Sequence, residues 1–143
     1  MKKPVIGERA VIECSAEALY EFLTDFNHFS KLLPDQVSDW KVENDTCSFH
    51  VKGLTTITAE YTEKIPYSNI KLAGHGKMGV HVNLYVEVKI EQIALQQAAV
   101  QFIVTSDINE FMAMMAYKPL ETFTNRLTEE LKKYVEQGHL CPQ

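Results

Sequence analysis

Residues 81–90 read HVNLYVEVKI, and this stretch decides the class of fold. Its even positions are apolar and its odd positions are mostly polar, which is the period of a strand with one buried face and one solvated face. The same alternation occurs in residues 46–52 and 54–64 before it and in residues 97–105 after it. Short turn sequences separate these runs, so consecutive strands are expected to pair as antiparallel hairpins.

The final third of the chain changes to a helical period. Asp107 or Asn109 can cap a helix that begins near Glu110, and Gly138 supplies a stop. Such a helix would be about 40 Å long, enough to cross a whole sheet, and Pro119 inside it removes one backbone hydrogen bond. Its apolar stripe consists of Met112, Ala116, Leu120, Phe123, Leu127, Leu131 and Tyr134.

The N-terminal region predicts a strand followed by two short helices. Residues 5–13 are rich in β-branched and apolar side chains, and Ser15 stands where a helix N-cap is expected. Residues 19–26 then carry apolar side chains at helical spacing. A second short helix is expected over residues 27–33 and should end at Pro34.

These elements predict an α+β helix-grip fold. It consists of a strongly curved antiparallel sheet of about seven strands, two short helices after strand 1, and a long C-terminal helix. The order of elements resembles the START-like (SRPBCC) superfamily of lipid-transfer domains, birch pollen allergens and polyketide cyclases. Residues 10–23, AVIECSAEALYEFL, resemble the opening of that superfamily, as does the stretch from Trp40 onward with Gly53 between strands. The resemblance covers nearly the whole chain and implies one domain, 1–143, with a cavity between sheet and helix.

Composition excludes several classes of function. The 14 basic residues are outnumbered by 19 acidic ones, and the net charge of −5 disfavours a nucleic-acid partner. No run approaches the 18 or so apolar residues that a membrane span needs, and no signal peptide is evident. Cys14, Cys47 and Cys141 are odd in number and far apart, which favours free thiols and a cytoplasmic location.

The expected cavity lies between the sheet and the first half of the long helix. Methionines cluster in that half, and their flexible, polarizable side chains suit a surface that adapts to varied apolar partners. They serve equally well as plugs for irregular gaps in a core. Strand phase and helix phase together give the candidate ligand-binding residues Trp40, Phe49, Ile57, Tyr61, Leu84, Phe102, Met112 and Met115.

Known motifs for cofactors and metals are not supported. Gly74–Gly79 matches G-x-G-x-x-G, but it precedes the strand at 81–90 instead of opening a helix, as a dinucleotide site requires. We therefore expect its glycines to form a hairpin or a rim loop near the pocket. The five histidines show no metal-ligand spacing. No cofactor and no metal are expected.

Three functions fit these observations. The first is binding of a small hydrophobic or amphipathic ligand, such as a lipid, an isoprenoid or an aromatic polyketide. The second is an enzyme similar to polyketide cyclases or dehydratases, with Tyr61, His75 and Tyr85 available to shuttle protons. The third is a protein-interaction module without a functional cavity, for which a homodimer is an open alternative. The sequence supplies no catalytic motif, so it does not decide between an enzyme and a binding protein.

Overall fold

The computed structural model describes residues 4–32, 37–52, 55–77, 81–107 and 110–137, without the side chains of Lys77, His81 and residues 110–116. The strands are β1 Val5–Ile6, β2 Ala10–Ile12, β3 Val37–Glu43, β4 Thr46–Val51, β5 Thr56–Ile65, β6 Asn69–Lys77, β7 His81–Ala94 and β8 Gln97–Ser106. The helices are α1 Ala16–Leu23, α2 Phe26–Phe29 and α3 Glu110–Glu136, with a 3₁₀ turn at Ser30–Leu32 after α2.

The strands form one curved antiparallel sheet in the order β1-β8-β7-β6-β5-β4-β3, with β2 also paired to β8. The predicted helix-grip α+β fold is therefore confirmed. The sheet has eight strands instead of about seven because the predicted first strand is interrupted after Ile6. Gly7 donates its backbone N–H to the carbonyl of Phe102 at 2.9 Å, and pairing with β8 resumes only at Ala10.

Helix α1 begins as its sequence predicts. The Ser15 side chain caps the helix and accepts a hydrogen bond from the Ala18 N–H at 3.2 Å. A second free N–H of the first turn, that of Ala16, donates to the Gln92 side chain at 2.7 Å and ties α1 to β7. The predicted stripe is buried: Leu19, Phe22 and Leu23 all face the core.

Helix α3 is 27 residues long and includes Pro119. Its inner face buries Leu120, Leu127, Leu131 and Val135. Thr124 and Thr128 are also buried, and their hydroxyls donate to the carbonyls of Leu120 and Thr124, so neither polar group lacks a partner. Of the helices in the described ranges, none combines the length and the apolar character needed to cross a membrane.

The glycine-rich segment belongs to strand β6 as far as Lys77, and β6 pairs antiparallel with β7 as in a hairpin, so of the two expected alternatives only the rim loop is wrong for Gly74 to Lys77. Strand β6 runs through both glycines, and each lies against β5. A Cβ on Gly74 would come within 2.8 Å of the Ile57 side chain, and a Cβ on Gly76 within 2.7 Å of the Thr56 carbonyl. The glycines therefore allow two strands to approach closely. Gly79 lies outside the described residues.

The prediction of three free thiols is wrong for Cys14. Cys14 is buried and disulfide-bonded, whereas Cys47 is buried and free. Cys141 lies outside the described residues. The spacing of the cysteines along the sequence does not predict the disulfide bond of Cys14, because the fold decides which cysteines come close together. The cysteines therefore give no support for a reducing compartment.

Candidate functional site

A cavity of about 70 Å³ lies between the sheet and α3. Strands β3 to β8 supply its floor, the middle of α3 covers it, and α2 closes one side. The described lining residues are Phe26, Phe29, Trp40, Cys47, Phe49, Val51, Ile57, Ala59, Leu72, Gly74, Leu84, Val86, Phe102, Val104, Leu120, Phe123 and Leu127.

The space exists because small residues face one another in the centre of the floor. Ala59 of β5 is paired directly with Gly74 of β6, and Gly74 is paired in turn with Leu84 of β7. Above them, α3 presents Leu120 and Phe123, which do not reach down to fill the gap. Interiors normally pack to the density of organic crystals, so a gap lined by these residues is a local exception.

Aromatic rings form a continuous band along one wall. Phe123 of α3 stacks on Phe49 with 6.3 Å between ring centroids, and Phe49 stacks on Trp40 at 5.2 Å. Trp40 lies nearly edge-on to Phe26 at 6.4 Å, and Phe26 stacks on Tyr61 at 4.3 Å. Rings prefer such offset and edge-on contacts with one another, and the same faces can accept a flat ligand.

The described lining carries no charged side chain. Its one ionisable group is the Cys47 thiol, and burial raises the pKa of that thiol to about 12, so it stays neutral at physiological pH. A protonated thiol is a poor nucleophile. The surface that the described residues present to the cavity is apolar throughout. This arrangement suits apolar contact and offers no acid or base.

Most of the predicted site residues lie together. Five of them line the cavity: Trp40, Phe49, Ile57, Leu84 and Phe102. Tyr61 lies beside it, behind Phe26, and donates its hydroxyl to the Leu23 carbonyl at 2.8 Å. The side chains of Met112 and Met115 lie outside the described residues.

Several lining residues were not predicted. Ala59 and Leu72 share strand faces with other lining residues, so strand phase could have identified them. Phe26 and Phe29 come from α2, and no local pattern indicates that this short helix closes the cavity. Cys47 shares its strand face with Phe49, so strand phase identifies it in the same way.

The three residues proposed to shuttle protons do not come together. Tyr61 is on the inner side of the sheet, whereas His75 and Tyr85 alternate with cavity-lining neighbours and are exposed on the outer side. His75 is held at 2.7 Å from the side-chain oxygen of Asn83, whose amide donates to Asp107 at 2.7 Å. This outer chain of polar groups has no access to the cavity. In the described ranges, no cluster of three or more His, Cys, Asp or Glu could hold a metal ion.

The chain has the START-like fold, as comparison with solved structures shows. A conserved protein from Geobacillus kaustophilus has a TM-score of 0.74 at 13% identity, over 97% of each chain. Norcoclaurine synthase from Thalictrum flavum has a TM-score of 0.74 at 10% identity, over 96% of this chain and 88% of its own. A START superfamily protein from Mycobacterium smegmatis has a TM-score of 0.63 at 13% identity, over 94% and 97%. No protein-family model and no curated protein sequence matches this chain.

Proposed function

We propose that this protein binds one small, uncharged, mainly apolar molecule in the cavity and does not transform it. The observation that carries the proposal is the wholly apolar and aromatic lining that the described residues give to the space between the sheet and α3. Binding sites for small molecules are concave and lined mainly by such side chains. Filling such a gap with side chains would stabilise the domain. A gap that remains unfilled is therefore better explained as a binding site than as part of the core.

The size and shape of the cavity favour a small aromatic or unsaturated ligand over a long lipid. Its 70 Å³ is well below the roughly 300 Å³ at which typical ligand pockets begin. The cavity is therefore too small for a long lipid, and even a single ring would require some lining side chains to move. The stacked faces of Phe49 and Trp40 favour a flat body. Among the predicted ligand classes, an aromatic molecule fits best.

One structural neighbour supports an aromatic ligand. Norcoclaurine synthase from Thalictrum flavum has been solved in complex with dopamine and hydroxybenzaldehyde, both single-ring aromatic molecules. The fold can thus enclose ligands of this kind. The identity of 10% gives no ground for carrying over that enzyme's chemistry, and the described cavity of this chain shows no pair of titratable groups that would perform it.

The proposal is tested by filling the cavity from its floor. Native mass spectrometry of gently purified protein should detect a bound molecule, and titration with toluene or naphthalene should perturb the fluorescence of Trp40. Ala59→Leu places extra carbons in the cavity and should abolish both signals. Thr58→Leu is the matched control, because Thr58 is the neighbouring residue on the exposed face of β5.

Two results would refute the binding function. One is wild-type protein that carries no co-purifying molecule and does not respond to either probe. The other is an Ala59→Leu variant that is folded, by circular dichroism, and binds naphthalene as tightly as Thr58→Leu does.

A further inference from the structure

Trp40 is turned into the interior by an irregularity of the edge strand β3. The β3–β4 register shifts between Ser38 and Lys41, and Asp39 has a φ of 56°, in the left-handed region. Ser38 and Asp39 are consequently both exposed, and Trp40 regains the inward face. A bulge of this kind redirects a side chain at some cost in backbone strain, and strained positions concentrate at functional sites.

The indole N–H of Trp40 is a buried donor without an acceptor. Its Nε1 is enclosed among neighbouring side chains and makes no hydrogen bond within the described part of the chain. The same ring lines the cavity and stacks on Phe49. A buried indole N–H normally has a partner, because losing its hydrogen bond to water destabilises the folded state. The missing acceptor therefore calls for an explanation at this site.

We propose that Nε1 of Trp40 is the hydrogen-bond donor for the bound molecule, and that this molecule is uncharged and carries an acceptor oxygen on its aromatic body. This inference rests on the proposed binding function and adds the polar group that the ligand must have. A carbonyl, ether or hydroxyl oxygen meets the requirement. An ionised group does not, because the described lining offers no opposite charge to offset its desolvation.

The position of Trp40 explains how the oxygen reaches a donor that is covered in the empty protein. A ligand larger than the cavity has to displace rings that border it, and Trp40 lies on the edge strand, which is paired on one side only within the described sheet. Displacement of the Trp40 ring from its neighbours is therefore needed before the oxygen can reach Nε1. The oxygen then satisfies the donor, while the aromatic body occupies the space between the rings.

The test compares acetophenone with α-methylstyrene, in which a methylene group replaces the carbonyl oxygen. Trp40 is the single tryptophan of the chain, so isotope-labelled protein gives one indole N–H signal in a nitrogen–proton correlation spectrum. Acetophenone should bind about tenfold more tightly than α-methylstyrene, as one added hydrogen bond to a buried donor predicts. It alone should move the indole proton downfield.

Two variants separate hydrogen bonding from packing. Trp40→Phe keeps an aromatic ring and removes the donor, so the ratio of the two affinities should fall from about ten to about one, whatever the change in the affinity for α-methylstyrene. Phe49→Leu should weaken both probes equally. The wild-type spectra remain decisive if Trp40→Phe does not fold.

The outcomes are distinct for the two proposals. Equal affinity of both probes with an unmoved indole signal overturns the role of Trp40 and leaves apolar binding in place. A preference for acetophenone that persists in folded Trp40→Phe also overturns it. Binding of neither probe overturns the role of Trp40, and the binding function falls with it only if no molecule co-purifies and toluene and naphthalene also fail to bind.

Discussion

The C-terminal half and the middle of α3 pack against the sheet in different ways. In the C-terminal half, Leu131 has 0% exposure and Val135 is buried, and α1 adds a further layer through the contact of Phe22 with Tyr134, at 5.2 Å between centroids. In the middle, the same helix faces Ala59 across a cavity. One continuous helix thus covers a dense core at one end and a cavity near its centre, so substitutions can alter the core and the cavity separately.

The largest single loss of stability should come from shortening a leucine, and the loss should differ between the two regions. Leu131→Ala should lower the free energy of unfolding by about 3 kcal/mol, because it removes contacts on all sides and leaves a new void. Leu120→Ala should cost less, about 2 kcal/mol, since Leu120 already borders empty space. Urea denaturation followed by circular dichroism measures both. Equal costs, or a larger cost for Leu120→Ala, would show that the middle of α3 is packed at least as tightly as its C-terminal half.

Enlarging an alanine in each region should have effects of opposite sign. Ala98 is fully buried in β8, away from the described cavity lining, so Ala98→Leu should lower the free energy of unfolding by about 2 kcal/mol through overpacking. Ala59→Leu fills the cavity and should raise it by about 1 kcal/mol. Thermal melts of ligand-free protein give the comparison. Destabilisation by Ala59→Leu would mean that the space beneath α3 cannot take three more carbons.

Alkaline pH should destabilise the protein through the thiol of Cys47, which lines the cavity. Burial raises the pKa of the Cys47 thiol from 9.0 to about 12. The folded state therefore keeps a proton that the unfolded state loses, so the stability from this group is complete below pH 9 and falls as pH rises toward 12. The slope should be on the order of 1 kcal/mol per pH unit. Denaturation of wild type and Cys47→Ala across this range should show a shallower decline for the variant.

The smallest effect should come from the contact that joins the cavity wall to α1. Tyr61→Phe removes the hydroxyl that donates to the Leu23 carbonyl and leaves the ring stacked on Phe26. The free energy of unfolding should fall by about 1 kcal/mol, and naphthalene binding should not change. A clear loss of naphthalene affinity in this variant would place Tyr61 in the site itself.

The sequence predicts the parts of this fold that depend on local periodicity. The alternation in residues 81–90 and the helical stripe of α3 both reflect a single face buried along a whole element, so the pattern is visible without the structure. The role of Gly74 stays open in the sequence because a glycine that permits close strand contact looks the same as one that permits a turn. Phe26 was missed at the cavity because its place there depends on how α2 packs against distant strands.

The pairing of Ala59 with Gly74 has a consequence for how such a protein can change over time. Gly74 cannot gain a side chain without moving Ile57, since a Cβ there would lie 2.8 Å from it. Ala59 has no such restriction on the cavity side, so a substitution at this single position can change the volume of the cavity. Glycine there would deepen the space, valine would reduce it, and serine would introduce a polar group. Single substitutions at position 59 could thus change which ligand the cavity accepts during evolution, while the sheet and helix around it stay as they are.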